Sequence, residues 1–140
     1  MARDKRLGIT STPSLCSGFD SRRKRSSRLV PSSHNSGPVL HVKGAPETVL
    51  SRCVATIGRD GQREALELTT VERVARQWQE RGLRVLCLAR RNVAVQEEEE
   101  ARLAANTTVA VDASPGAAAS ATLEALEERG LELVALIALE

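Results

Sequence analysis

"HVKGAPETVLSRC", residues His41–Cys53, holds a strand end, a turn and a helix start in one short run. "VLHVK" (39–43) is rich in β-branched and apolar residues and reads as a strand that stops at Gly44. Pro46 fits the first turn of a helix because the N–H that proline lacks has no intrahelical partner there. Glu47 suits the positive end of the helix macrodipole. Val49, Leu50, Cys53 and Val54 form an apolar stripe, so the helix is predicted from Pro46 to about Val54. The switch from strand to helix points to a mixed α/β layout. It also sets Lys43 at the carboxyl end of a strand beside a glycine, where a lysine faces either a cleft or plain solvent.

Outward from this stretch the same alternation continues. Asp60-Gly61 in "ATIGRDGQREALEL" is a hairpin signal between the strand-like "ATI" and "EALEL". Thr69 or Thr70 is the expected cap of the next helix, whose Val71, Val74, Ala75 and Trp78 recur at helical spacing. Gly82 follows as the residue that closes it. "LRVLCLA" is apolar at nearly every position and is expected to be a strand buried on both faces. Upstream, "PSSHNSGP" must be a loop. Downstream, the segment from about 94 to 119 is biased toward Glu, Ala, Ser and Gly and reads as an exposed helical turn plus a flexible insertion. "SATLEALEERG" reads as a short helix and "LELVALIAL" as a buried closing strand. The fold class is α/β (α+β), with no internal repeat.

A chain of 140 residues fits one domain. With one Trp, one Phe and no Tyr, its core must be built from Leu, Val and Ala. The formal charge of +2 hides an asymmetry, because residues 1–28 hold eight Lys/Arg against two Asp. Residues 1–18 read as a disordered basic head, and 19–140 as the folded part. The three cysteines are widely spaced without a CxxC pair, which speaks against a disulfide framework or a zinc site and for reduced thiols. No apolar run approaches the roughly 20 residues that span a bilayer. The amino terminus lacks the apolar core of a secretory signal, and its Arg/Ser-rich character leaves a transit peptide open.

Three islands are chemically suggestive. In "FDSRRKRSS", Phe19 precedes Arg22, Arg23, Lys24 and Arg25. Such a cluster can bind a nucleotide by stacking and phosphate attraction, contact nucleic acid, or be a solvated charge run. Lys43-Gly44 is no P-loop, whose lysine follows its glycines, and GxGxxG is absent. Arg84 stands on a strand otherwise apolar on both sides, so it calls for a partner, either a protein carboxylate or an anionic ligand. His34 and His41 have no arranged nucleophile near them, and Glu97–Glu100 read as solvated surface. No catalytic or metal-binding constellation is evident.

Taken in order, Phe19 to Ser27, "KGAPE" (Lys43–Glu47) with Cys53 downstream, and "GLRVLCLA" (Gly82–Ala89) resemble the nucleotide-binding domain of cation-transporting P-type ATPases, most of all the type II, calcium-pump-like branch. "LEERGLELVALIALE" is similar to the segment leading from that domain toward the phosphorylation domain. The resemblance implies a partial nucleotide-binding domain with a mostly antiparallel sheet and flanking helices. It implies ATP as ligand, with Mg in the full pump, and the phosphorylation, actuator and membrane domains as partners at the cytosolic face of a membrane. It implies that Phe19 stacks on adenine, that Lys24 lines the pocket, that Lys43 sits at its base with Gly44 beside it among the nucleotide-binding residues, and that Arg84 reaches the phosphates. Ser26 stands where the family usually has methionine. The aspartyl-phosphate motif DKTGT and the hinge TGD are not in the sequence, so the chain alone is not expected to hydrolyse ATP or move an ion. The insertion at about 94–119 has no clear counterpart in the family. A basic adaptor or nucleic-acid binder and an inactive truncated product are the rival readings; on the pump reading no nucleic acid is expected.

Overall fold

The computed structural model describes residues 15–32, 37–108, 117–128 and 130–140. Three antiparallel strands come first: β1 (Leu15–Asp20), β2 (Arg25–Val30) and β3 (Val39–Gly44). Helix α1 (Pro46–Val49) runs into a 3-10 turn (Leu50–Arg52), and β4 (Cys53–Ile57) and β5 (Arg63–Glu64) form a hairpin. Helix α2 (Leu68–Glu80), strand β6 (Arg84–Asn92), helices α3 (Val95–Thr108) and α4 (Ala117–Glu127), and strand β7 (Leu131–Leu139) complete the described chain. One seven-stranded sheet results, in the order β1-β2-β3-β6-β7-β4-β5, antiparallel except for β4 against β7. The mixed α/β class with a mostly antiparallel sheet holds.

Local chemistry explains most element ends. Gly82 adopts φ +83° after α2; its N–H donates to the carbonyl of Gln79, and the N–H of Leu83 donates to that of Trp78. This pair of bonds satisfies carbonyls that the helix end would leave orphaned. Gly61, at φ +80°, turns the β4–β5 hairpin, where the carboxylate of Asp60 accepts from the Gln62 N–H at 3.1 Å.

Several boundaries differ from expectation. The helix from Pro46 stops after one turn, and Cys53-Val54 begin β4, because strand pairing of Cys53 with Leu131 outweighs a short apolar stripe. Glu67, not Thr69 or Thr70, is the N-cap residue of α2, and it makes no side-chain capping bond. The "EALEL" strand shrinks to Arg63–Glu64. Strand β1 begins at Leu15, so the last residues of the expected disordered head belong to the sheet, while 1–14 lie outside the described residues. Within 94–119 the structure has the fourteen-residue α3 and the start of α4; 109–116 lie outside the described residues, as does His34. Glu97 and Glu98 are not idle surface charges, since they pair with Arg91 and Arg102, each at 2.6 Å.

Among the described residues the core lies on one side of the sheet only. Leu29, Leu40, Val42, Cys87, Ala89, Leu131 and Leu133 point toward Val49, Leu50, Leu123 and Leu126, with Leu68, Val71 and Ala101 packed at the margin. The other side of β6 is therefore half-buried or exposed rather than covered, and the expectation of a strand buried on both faces fails. Nothing described covers Arg84, Leu86 and Leu88, and this open face carries the candidate site.

Candidate functional site

Cross-strand register decides which residues share the open face. Ser26 pairs with Lys43 and Lys43 with Leu88; Arg28 pairs with His41 and His41 with Arg90. Directly paired residues project to the same side, so these side chains stand together on the uncovered surface. Phe19 joins them through an irregularity in β1 between Ser17 and Asp20, which returns the strand to register at Asp20–Arg25. A bulge in β7 adds Val134 to the same surface: Leu88 pairs with Ala135 and Ala89 with Leu133, leaving Val134 as the extra residue.

Together they form an open pocket of about 540 Å³ whose side-chain walls include Phe19, Arg28, His41, Lys43, Leu88 and Val134, with Cys16 at the β1 edge. Phe19 is 67 % exposed although it is the chain's one phenylalanine. An aromatic ring held out of the core beside three cationic or ionisable nitrogen groups suits a planar, anionic ligand. Among the described residues, no carboxylate lines the pocket.

The other expected site residues lie elsewhere. Gly44 is buried and outside the pocket; a Cβ on it would lie 2.5 Å from the Arg25 Cβ and 2.6 Å from the Lys24 carbonyl oxygen. Its role in the fold is to let β3 close on the β1–β2 turn. Lys24 sits in that turn at φ +57°, exposed and off the pocket wall. Its carbonyl accepts from the Ala45 N–H at 3.0 Å and from Thr48 Oγ1 at 3.4 Å. The basic motif and "KGAPE" are thus joined through backbone. Arg84 opens β6 on the same face as Lys43 but beyond the pocket, exposed, and among the described residues no ion pair engages it. It needs no buried partner because its face of the strand is wet.

The basic cluster is neither a solvated run nor a free anion site. Arg23 Nη1 donates to Glu127 Oε2 at 2.8 Å, and Arg25 Nε lies 3.4 Å from Glu127 Oε1. Arg23 also reaches Asp20 at 3.3 Å, Glu124 at 3.4 Å and the Ser17 hydroxyl, while Arg22 pairs with Glu124 at 3.0 Å. Three guanidinium groups face three carboxylates, and Glu127 is completely buried under α4. The Arg22 backbone N–H holds the Asp20 carboxyl below its ordinary value, helped by the charge of Arg22 itself. Burial lowers the Arg25 guanidinium from its ordinary value, against the pull of Glu127. Arg28, Glu124 and Glu127 are the residues that sequence reasoning missed. Only the alternation of "RSSRLV" hinted that Arg25 and Arg28 face opposite ways.

Residues 16–140 match the family described as P-type ATPase, cytoplasmic domain N. The chain belongs to that family. No curated protein matches it. The match supports a nucleotide-binding role for this N-domain chain within a P-type ATPase. Among the described residues of the N-domain chain, no three His, Cys, Asp or Glu cluster so as to hold a metal ion. No described helix is long and apolar enough to cross a membrane.

Proposed function

We propose that this chain is the ATP-holding part of a cation-transporting P-type pump, positioning ATP, as its Mg complex in the full pump, for phosphoryl transfer to an aspartate of another domain. Phe19 stacks on the adenine and Lys43 supplies a point charge to the nucleotide, while the Lys24 turn and Gly44 hold together the strands that carry them and Arg84 stands on the same sheet face beyond the pocket. The parent pump, on motif style, transports calcium and presents this domain at the cytosolic face of its membrane, docked against the phosphorylation and actuator domains. One observation carries the reading: two motifs far apart in the chain bring an aromatic ring and an ammonium group to one pocket, which no carboxylate of the described residues lines. The neutralised arginine cluster speaks against the rival reading as a nucleic-acid binder, because the phosphates of a nucleic acid would have to compete with Glu124 and Glu127 for it.

Titration of the chain with a fluorescent ATP analogue, and competition by ATP, test this. Loss of a base–aromatic stack costs about 1–3 kcal/mol, so Phe19→Ala is expected to weaken binding by about five- to 150-fold. Lys43→Ala is expected to weaken ATP more than adenosine. Indifference of the wild-type chain to ATP overturns the proposal.

A further inference from the structure

Phe19 faces the pocket only because β1 departs from regular strand geometry. Ser17 pairs with Ser27 and Asp20 with Arg25, so Gly18 and Phe19 stand together against Ser26. In a regular strand Ser17 and Phe19 would share a side. The extra residue breaks that alternation and re-aims a side chain. Ser17 and Asp20 turn toward Arg23 and α4, and Phe19 turns to the open face.

One guanidinium holds both ends of this bulge. Arg23 Nε donates to Asp20 Oδ2 at 3.3 Å, and Arg23 Nη2 donates to the Ser17 hydroxyl. Arg23 Nη1 donates to Glu127 Oε2 at 2.8 Å, so α4 anchors the group from behind. All three nitrogens of Arg23 are thus engaged, and its side chain is 4 % exposed against 0 % for Glu127. The residues on either side of the bulge are fixed from the core side, while the ring between them is exposed. An exposed ring has little packing to set its direction, so the backbone beneath it must do so. Neither Arg23 nor Glu127 lines the pocket. An effect of either on a ligand must therefore pass through Phe19.

Resting on the nucleotide reading above, we propose that Arg23 and Glu127 are positioning residues, which hold the β1 bulge so that the Phe19 ring forms one wall of the base site. Arg23 itself touches no part of the nucleotide.

Phe19 is the chain's one phenylalanine, so incorporation of para-fluorophenylalanine gives a single fluorine NMR line that reports on this ring alone. Arg23→Lys keeps the charge, but one ammonium group cannot span Ser17, Asp20 and Glu127 as the fork does. It is expected to shift or broaden the fluorine line of the free chain. It is also expected to weaken ATP and adenosine by one common factor, about threefold or more and no larger than the loss from Phe19→Ala. In a Phe19→Ala chain the same substitution is expected to cost ATP binding nothing further, because residues that act through one another are non-additive. Ser17→Ala combined with Asp20→Asn leaves the buried pair whole and frees both ends of the bulge; the same line change and the same loss are expected. Leu50→Ala, a core truncation away from the turn, is expected to lower the urea midpoint without moving the line.

An unmoved fluorine line in both sets of variants, an additive loss in the Phe19→Ala chain, or a loss for ATP without one for adenosine overturns the proposal. With ATP binding by the wild-type chain intact, the nucleotide reading survives that result. A line moved by both sets of variants in a chain indifferent to ATP removes the nucleotide reading and keeps the hold on Phe19.

Discussion

Gly44 shows how a single residue links two motifs. Its identity follows from the close approach of Arg25 across the β2–β3 pair, where a methyl group would meet both a side chain and a backbone oxygen. Overpacking of this kind costs about 1–3 kcal/mol, so Gly44→Ala is expected to lower the urea midpoint by the corresponding amount at unchanged slope. The cysteines differ as sharply. Burial pushes the Cys53 thiol up to about 11 and the Cys87 thiol up to about 12, while Cys16 is exposed at the pocket rim. A thiol-reactive disulfide reagent at neutral pH is expected to modify Cys16 fast and Cys53 and Cys87 only on unfolding, because the thiolate is the nucleophile. Bound ATP is expected to slow the Cys16 reaction. Strand alternation put Cys87 on the side of β6 opposite Arg84, Leu86 and Leu88, but which of the two sides faces the core was not legible in the letters. Nothing in the letters around Gly44 revealed the Arg25 contact, which exists only once β2 and β3 are paired.

Among the elements, α4 has the largest hidden role. Its Glu124 and Glu127 hold the β1–β2 turn that follows Phe19, so helix and turn act as one unit. Removing one member of a buried ion pair costs about 3–5 kcal/mol, and Glu127→Leu is expected to fall in that range in denaturant unfolding. Adding Arg23→Leu and Arg25→Leu to it is expected to restore part of the loss, since no buried charge is then unpaired. Asp20 gives the turn an acid sensitivity of definite sign. Its folded pKa lies below the ordinary 3.8, so its contribution is present above that value and vanishes as pH falls through the folded value. Asp20→Asn is expected to flatten the stability difference between about pH 5 and about pH 3, measured by urea unfolding. The short α4 was legible from Leu123, Leu126 and Gly130. Its carboxylates were not, because a glutamate on a short helix looks like surface until its partner across the fold is known.

For the whole molecule the decisive feature is a sheet that the described residues cover on one side. β6 lies at its centre and β1 and β5 at its edges, so native-state hydrogen exchange is expected to be slowest in β6 and its neighbours β3 and β7 and fastest in β5. Fast exchange throughout β6 would contradict the topology. The sequence by itself determined the strand at 39–43, the hairpin at Asp60-Gly61, the helix end at Gly82 and which residues of β6 share a side. These rest on turn chemistry and on periods of two and 3.6, which are encoded within about ten residues. Only the tertiary structure decided that the arginine cluster turns inward to α4, that the described residues leave one side of β6 open, and that Phe19 and Lys43 line one pocket while Arg84 stands apart. Those outcomes depend on pairs such as Arg23 and Glu127, 104 residues apart. A buried charge is held by whatever opposite charge the fold brings to it, and no local pattern carries that information.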